Sequence, residues 1–427
     1  MPIVKNQPNL ITFFIRHPLW CLIKRICSKL SANFFNSGMN FLLLLFLAHF
    51  ISPDGYGSLN LFNTLISLLS IVISLNTAGI ITVEYFNLNR YALRELVSCV
   101  FLVSTAVLCI GLIGILLMYS PIERVVGLNV EYQFIALLIC YMQVYSSVIL
   151  DIWRLEEKPI MYGIYSMAMV ALNFGVTFFM IIALKCGWEG RIYAQLIVGL
   201  VFMICSLVVL YRKGYLRRIL PTIKVFRETI GFGMPLIPHN TSVWLRQGVD
   251  RYIINQLYTT AQVGIFSFAY NVANTIHIIG MAFNAMNSVY IYKSLAENPE
   301  EARKRLCKQT RIMILFFFSI TLLICIGASI SIPYLLPQYE SSIKYLFPLC
   351  MSASCQCIYY LFVNYLFYYK KTRQLMYITF TLSIVHLLFS LTLTRYSIMW
   401  TAYITLIINF LIMYSVIWYS QKLYSLK

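Results

Sequence analysis

The chain has 427 residues, of which 60% are hydrophobic and only 11% are charged. A soluble domain carries about 25% charged residues, so the composition excludes the soluble classes of enzyme and binding protein. The formal net charge of +18 therefore needs an explanation that is compatible with a membrane protein.

Runs of about 20 apolar residues, long enough to cross a bilayer as a helix, recur along the whole chain. The twelve predicted spans are residues 31–50, 59–82, 96–119, 132–150, 160–184, 192–211, 229–253, 263–290, 312–336, 345–369, 374–393 and 398–419. The segments between them are too short for a folded extramembrane domain. The sequence thus predicts an all-α polytopic membrane protein with about twelve transmembrane helices.

Lysine and arginine are concentrated in alternate connecting segments. If both termini lie in the cytoplasm, the inner segments hold most of the 33 Lys and Arg residues. This is the positive-inside pattern, so the net charge reflects orientation in the membrane and requires no nucleic-acid partner. Residues 1–30, in which apolar and basic residues are interspersed, are predicted to form a cytoplasmic interfacial segment.

The most polar break in the chain is a basic cytoplasmic linker at residues 212–228. It separates two bundles of six predicted helices, residues 31–211 and residues 229–427. A shift of 207 residues places Gly57, in the turn after the first span, on Gly264, in the turn after the seventh. Six spans per half give equivalent helices the same orientation, which predicts two pseudo-symmetric six-helix bundles around a central cavity.

The seventh span carries three charged side chains at membrane depth: Arg246, Asp250 and Arg251. A charge at the centre of a lipid-facing helix costs about 2.5 to 3.5 kcal/mol on insertion scales, so these residues are expected to face protein or water. On one continuous helix, His239 would share a side with Arg246 and Asp250. Two interpretations stay open: Arg246 and Asp250 form a structural pair, or they belong to a functional site.

Polar side chains form stripes along the first, second, seventh and eighth spans. The stripe residues predicted to contact a sugar are Asn36, Asn63, Asn240, Asn274 and Asn284. Interhelical hydrogen bonds, worth under about 1 kcal/mol each, explain any single position equally well. His277 lies on the stripe of the eighth span, whereas His386 and Asn409, in the last two spans, are isolated and predicted to be structural.

Several motifs accompany the two six-span halves. They are the turn Ser52-Pro53-x-x-Tyr56-Gly57 and a mid-chain segment that combines Gly231-x-Gly233-x-Pro235, Gly248-Val249-Asp250-Arg251-Tyr252-Ile253-Ile254 and Val263-Gly264-Ile265-Phe266. Together they resemble the polysaccharide-transport flippases, including the O-antigen flippase, of the multidrug/oligosaccharidyl-lipid/polysaccharide exporter superfamily. The resemblance covers nearly the whole chain and implies a MATE-like fold.

The resemblance also implies a function. Members of the family move an undecaprenyl-pyrophosphate-linked oligosaccharide from the cytoplasmic to the periplasmic leaflet of a bacterial inner membrane. Other polysaccharide-assembly membrane proteins then become candidate partners. The family often carries basic residues in the first two spans as well, and this sequence has none there, so more of the anion recognition would fall to the seventh span.

Roles for individual residues follow from that hypothesis. Arg246 and Arg251 would bind the pyrophosphate, because guanidinium groups match phosphate oxygens. Asp250 would position Arg246, or would titrate if proton movement drives the cycle, and His239 and His277 are further candidates for coupling or positioning. The resemblance implies antiport with H⁺ or Na⁺. No organic cofactor is predicted, and the sequence contains no GxxxxGK[ST] nucleotide-binding loop.

Two other functions were weighed against the flippase. A cation-coupled multidrug exporter of the same superfamily would need carboxylates in its cavity, and the sequence offers only Asp250, with Glu84 near a span end. A membrane glycan polymerase would need catalytic groups on a long outer loop, and the predicted outer loops are short. The sequence therefore favours a transporter over an enzyme.

Overall fold

The computed structural model describes residues 35–216, 221–296 and 299–424, and its regular elements there are helices. Helices α1 to α7 are Phe35–Phe50, Pro53–Ser74, Ala78–Glu84, Arg90–Val126, Val130–Leu155, Pro159–Ile182 and Glu189–Arg212. Helices α8 to α15 are Ile223–Gly233, Leu236–Gln247, Val249–Leu257, Thr260–Ala296, Pro299–Leu335, Ile343–Tyr368, Thr372–Leu393 and Ile398–Leu423. The predicted interfacial segment 1–30, the start of the first span and part of the basic linker lie outside the described residues.

Ten of the described helices are long and apolar enough to cross a membrane. They are α2, α4 to α7 and α11 to α15, and they correspond to ten of the twelve predicted spans. The first predicted span is the shorter apolar helix α1, and the seventh is divided among α8, α9 and α10. The prediction of an all-helical, multi-pass membrane protein is confirmed.

Local sequence explains where several helices begin. The side chain of Ser52 accepts a hydrogen bond from the backbone N–H of Gly55, and Pro53 occupies the first turn of α2, where its missing N–H removes no helical bond. Asn89 caps α4 in the same way, accepting from the N–H groups of Tyr91 and Ala92. Side-chain acceptors thus satisfy backbone donors that have no partner within the helix.

The seventh span is not the continuous helix that the sequence predicted. It breaks between α8 and α9 at the Gly233-Met234-Pro235 step and again at Gly248, whose φ of −115° departs from helical geometry. Proline cannot donate a helical hydrogen bond, and glycine tolerates irregular backbone angles. Arg246 therefore lies on α9 and Asp250 on α10, so the helical register expected to align them is interrupted.

The two halves meet where α2 and α11 begin, which we call the Pro53 end of the bundle. A Cβ atom added to Gly57 would overlap the backbone carbonyl of Thr260, and one added to Gly264 would overlap that of Pro53. The 207-residue shift relates Pro53 to Thr260 and Gly57 to Gly264, so the contact is reciprocal, as across a two-fold axis. Helix packing thus agrees with the predicted pseudo-symmetry, while the bundle boundaries at 31–211 and 229–427 stay a prediction.

The opposite end of the bundle, which we call the linker end, holds the chain that joins the halves. Glu156, at the end of α5, binds the ammonium group of Lys213, and Arg90 donates to the Lys213 carbonyl oxygen at 3.1 Å. The backbone N–H of Thr222, just before α8, donates to the Glu95 carboxylate at 2.7 Å. These contacts fix the linker and α8 against the first half.

Candidate functional site

A polar cavity of about 500 Å³ lies between the two halves. Helix α2 of the first half and helices α9, α10 and α11 of the second form its walls, and its volume is within the range of about 300–1,000 Å³ typical of ligand sites. Six amide side chains line it: Asn60, Asn63, Asn240, Gln247, Asn271 and Asn274. Thr64 and Ser67 add hydroxyl groups, and Arg251 is the charged residue of the wall.

Hydrogen bonds between the halves close this cavity toward the Pro53 end. The Asn271 amide donates to the Tyr56 hydroxyl at 2.9 Å and to Oδ1 of Asn60 at 3.2 Å, which ties α11 to α2. The indole N–H of Trp244 donates to the carbonyl oxygen of Thr64 at 3.1 Å, which ties α9 to α2. The close glycine crossing lies beyond Asn271, so the cavity extends from this floor toward the linker end.

Arg251 places a buried positive charge in the cavity wall. Its side chain is 7% exposed, and the guanidinium carbon lies 4.6 Å from the centre of the Tyr270 ring, a cation–π contact. Nη1 donates to the carbonyl oxygen of Gln247 at 2.5 Å, whereas Nε has no partner in the described chain. The charge contacts a ring and a carbonyl and forms no ion pair with a carboxylate of the described residues, so an anion in the cavity can accept a hydrogen bond from it.

Arg246, on α9, is partly buried, and its Nε has no hydrogen-bond partner among the described residues. Its guanidinium does not line the 500 Å³ cavity itself. Of the two arginines predicted to bind phosphate, Arg251 therefore lines the cavity and Arg246 does not.

The Arg246–Asp250 pair, one of the two interpretations that the sequence left open, is not formed among the described residues. The Asp250 carboxylate accepts hydrogen bonds from Ser390 at 2.9 Å and Thr405 at 3.4 Å, and it lies 3.4 Å from Nε2 of His386. All these side chains are buried. Asp250 faces α14 and α15 because the break at Gly248 turns α10 away from the register of α9. His386, which the sequence treated as structural, is thus part of a buried acid–imidazole pair.

A small chamber of about 20 Å³ adjoins the cavity and shares Tyr270 and Asn274 with it. Its far wall contains Asn409 and Thr405, the second of which is a hydrogen-bond donor to Asp250. His277 also lines the chamber, with its Nε2 at 2.8 Å from the Tyr360 hydroxyl. A chamber of this volume and polarity can hold one water molecule, so a polar route joins the cavity to the Asp250–His386 pair.

The structure brings together three of the five asparagines predicted to contact sugar. Asn63 and Asn274 line the cavity, and Asn240 lines it while donating to Oδ1 of Asn76 at 2.7 Å. Asn240 therefore agrees with both interpretations of the polar stripes, sugar contact and interhelical hydrogen bonding, since it bridges the two halves and also faces the cavity.

The remaining predicted residues lie elsewhere. Asn284 accepts a hydrogen bond from Asn364 at 2.8 Å and lies outside the cavity wall. Asn36 has a buried Oδ1 without a partner in the described chain, but α1 contributes nothing to this cavity. His239 is exposed on α9, and its carbonyl oxygen accepts from Ser242. The expectation that the first span faces the central cavity is not met by the described part of α1.

Solved structures with the same fold include two transporter types. The lipid II flippase MurJ, in an inward closed conformation, has a TM-score of 0.71 to this chain at 12% identity, covering 93% of this chain and 87% of that one. An outward-facing multidrug resistance MATE family transporter of the MOP superfamily has a TM-score of 0.60 at 16% identity, covering 94% and 96%. At such identities the likeness shows the fold alone, and it confirms the MATE-like architecture.

Sequence comparison shows the family. The Lsg locus putative protein 1 of Haemophilus influenzae is 27% identical over 350 residues, which are 78% of this chain and 81% of that protein. An uncharacterized membrane protein of the same organism is 23% identical over 341 residues, 79% and 81% of the two chains. The family model described as polysaccharide biosynthesis protein matches residues 22–290, a range that includes the cavity helices α2, α9 and α10 and most of α11. The chain belongs to the polysaccharide biosynthesis protein family.

Proposed function

We propose that this protein is a flippase for an undecaprenyl-pyrophosphate-linked oligosaccharide, which it moves between leaflets by alternating access. The observation that carries the proposal is the buried guanidinium of Arg251, which forms no ion pair with a carboxylate of the described residues, in a cavity lined by amides and hydroxyls. A pyrophosphate needs cationic donors and a glycan needs amide and hydroxyl partners. The lipid tail can stay in the bilayer while the polar part occupies the cavity.

The direction of transport follows from the distribution of charge. Arg90, Lys213 and the basic linker lie at one end of the bundle, so the positive-inside rule places that end in the cytoplasm. In a bacterial inner membrane, the cavity then extends toward the cytoplasmic leaflet, where the lipid-linked unit would enter, and the Gly57–Gly264 crossing closes it on the periplasmic side. Release requires the two halves to separate at that crossing.

We further propose that the Asp250–His386 pair couples this cycle to protons. The described cluster around Asp250 offers an imidazole and two hydroxyls. An imidazole nitrogen can bind and release a proton, whereas a hard cation such as Na⁺ favours a shell of oxygen ligands. The small polar chamber supplies a route for a proton between this pair and the cavity. H⁺ is therefore the better of the two coupling ions that the family resemblance implies.

The deciding experiment is lipid exchange in sealed proteoliposomes. Labelled undecaprenyl-pyrophosphate oligosaccharide is scored for movement between leaflets with wild type, Arg251→Gln and Arg246→Gln at matched protein levels. Arg395→Gln, which removes an exposed arginine outside the cavity, is the control for loss of one charge. We expect wild type and Arg395→Gln to exchange the lipid and Arg251→Gln to lose at least about tenfold in rate, the value of one charge-assisted contact.

Other outcomes would change the assignment. Undiminished exchange by Arg251→Gln would remove the anion site from the proposal. If wild type moved no lipid-linked glycan but exported cationic dyes, the protein would be a multidrug exporter instead. For coupling, an imposed pH gradient should accelerate exchange by wild type and have no effect on Asp250→Asn; acceleration by a Na⁺ gradient alone would exclude the proton.

A further inference from the structure

A second cavity, of about 370 Å³, lies inside the first half of the protein. Helices α1, α5, α6 and α7 surround it, and it shares no lining residue with the cavity between the halves. Its volume is also within the range typical of ligand sites. The transport cycle proposed above makes no use of it.

The wall of this cavity is largely apolar, with Met, Leu, Ile, Val and Phe side chains, but it also carries six amide and hydroxyl groups and one charge. Its amide and hydroxyl side chains are Asn40, Gln143, Ser146, Ser147, Asn173 and Gln195. The charge is Arg191, in the first turn of α7, which the sequence placed one residue outside the span predicted at 192–211. Amides and hydroxyls both donate and accept hydrogen bonds, so the wall can match a ligand that carries several hydroxyl groups.

Arg191 has only neutral partners. Its Nη1 donates to Oδ1 of Asn173 and to the hydroxyl of Thr177. The nearby carboxylate of Glu189 is occupied by the Tyr132 hydroxyl at 2.6 Å, and the ion pairs of the described residues do not include Arg191. A partly buried guanidinium without a counter-charge is costly, and an anion in the cavity would neutralise it.

Gln195, in contrast to Arg191, has a hydrogen-bond acceptor that lacks a donor among the described residues. It lies one turn after Arg191 on α7, and its carbonyl oxygen Oε1 is buried with no hydrogen-bond partner in the described chain. A buried acceptor without a donor also destabilises the protein. An inorganic anion such as chloride would satisfy Arg191 but not Gln195. A molecule with both a carboxylate and hydroxyl donors would satisfy the two groups together.

Exposed residues of the wall show where such a molecule can enter. Asn40 and Ser147 are exposed and line the cavity. Phe174, which also lines it, packs on Phe46 with the ring centres 5.8 Å apart. The cavity is therefore accessible at Asn40 and Ser147, while Arg191 is partly buried.

We propose that this pocket binds an anionic monosaccharide, with the sugar carboxylate on Arg191 and a sugar hydroxyl donating to Gln195. This site is separate from the site between the halves, and binding to it does not require that the protein move a lipid. The ligand class is a hexuronic acid, since that class combines one carboxylate with a ring of hydroxyl groups.

Binding is tested on the full-length protein in detergent by calorimetric titration with D-glucuronate, D-glucose and acetate as probes. We expect saturable binding of glucuronate, with affinity at least about tenfold higher than for glucose or acetate. Arg191→Gln should lower the glucuronate affinity at least about tenfold, and Arg191→Lys should lower it less because the charge is retained. Arg395→Gln, the same charge change at an exposed site that lines neither cavity, should leave the affinity unchanged.

Three results would overturn the proposal. Loss of binding in Arg251→Gln but not in Arg191→Gln would place the ligand between the halves. Equal affinities for acetate and glucuronate would exclude sugar recognition, and absence of glucuronate binding by wild type would exclude the site. If Arg191→Gln does not fold, Gln195→Leu is the alternative variant, because it leaves the hydrogen bonds of Arg191 intact. It should lower the glucuronate affinity at least about tenfold and leave the acetate affinity unchanged. An unchanged glucuronate affinity would contradict the assignment.

Discussion

The carboxylate of Asp250 lies 3.4 Å from Nε2 of His386, and both side chains are almost completely buried. The contact joins α10, the last segment of the broken seventh span, to α14. No ion pair of Asp250 with a lysine or arginine occurs in the described chain, so the imidazole and two hydroxyls are the groups in direct contact with its carboxylate. Removing the imidazole leaves the buried carboxylate with the two hydroxyl donors alone.

The first prediction concerns the stability of this pair. His386→Leu should destabilise the protein by about 3–5 kcal/mol, because it leaves a buried carboxylate without its imidazole, and the double variant Asp250→Asn/His386→Leu should recover part of that loss. Ser383→Ala, on the same helix, removes a buried hydroxyl bonded to a backbone carbonyl and should cost about 1 kcal/mol. Thermal or denaturant unfolding in detergent measures all three. A double variant less stable than His386→Leu would contradict the pairing.

The second prediction concerns the glycine crossing. Gly57→Ala and Gly264→Ala should each destabilise the protein by at least about 1–3 kcal/mol, because the new methyl group meets a backbone carbonyl that cannot rotate away. Gly114→Ala on α4 meets no atom within 4 Å and should be neutral or stabilising by about 0.5–1 kcal/mol, since alanine is the better helix former. Unfolding midpoints decide the comparison. Equal effects at Gly57 and Gly114 would show that the helices can separate without cost.

The third prediction separates two asparagines that the sequence treated alike. Asn63 is exposed in the cavity wall, so Asn63→Ala should weaken glycan-lipid exchange several-fold and leave stability within about 0.5 kcal/mol. Asn284 accepts a hydrogen bond from Asn364, so Asn284→Ala should lower stability by about 1 kcal/mol and leave exchange unchanged at equal amounts of folded protein. Exchange assays paired with melting curves test both. If instead Asn284→Ala weakened exchange and Asn63→Ala lowered only stability, the substrate site would lie nearer Asn284 on α11.

The fourth prediction uses the linker end and its pH dependence. Burial by itself raises the pKa of Glu156, but the hydrogen bonds and charges of Lys213 and Lys158 outweigh it and hold that pKa below its ordinary value. Such a group stabilises the folded state above the unfolded pKa, and the contribution disappears as pH falls through the folded pKa. The stability difference between wild type and Glu156→Gln should therefore be largest near pH 7 and disappear as the pH falls through the lowered pKa of folded Glu156, which lies below the ordinary value of about 4.3. A difference that grows on acidification would contradict this assignment.

The spans were predictable because bilayer thickness imposes a length on every apolar run, whatever its neighbours. The ends of the helices were less predictable. Helices α4 and α11 extend beyond the predicted spans 96–119 and 263–290, because polar residues can continue a helix into water. The break in the seventh span did have a signal, in Gly233, Pro235 and Gly248. Counting apolar residues gives no information on backbone angles, and so the seventh span was predicted as one continuous helix.

The site was only partly predictable from the sequence. A polar stripe identifies a helix face but not what that face meets, so Asn63 and Asn284 were indistinguishable until α2, α11 and α13 were packed. The partner of Asp250 could not be found locally, because His386 lies on a helix distant in sequence and brought close only by the fold. A single histidine at membrane depth was the available signal, since ionisable groups there are functional candidates by default.

The crossing of α2 and α11 at Gly57 and Gly264 has a consequence for ion leakage. At that point backbone lies against backbone, with no side chain between the helices to rotate and admit water. A small side-chain fluctuation therefore cannot open a wire of water molecules through the molecule, and only separation of whole helices can. A protein built in this way can hold a wet cavity open to one leaflet while the membrane keeps its proton gradient.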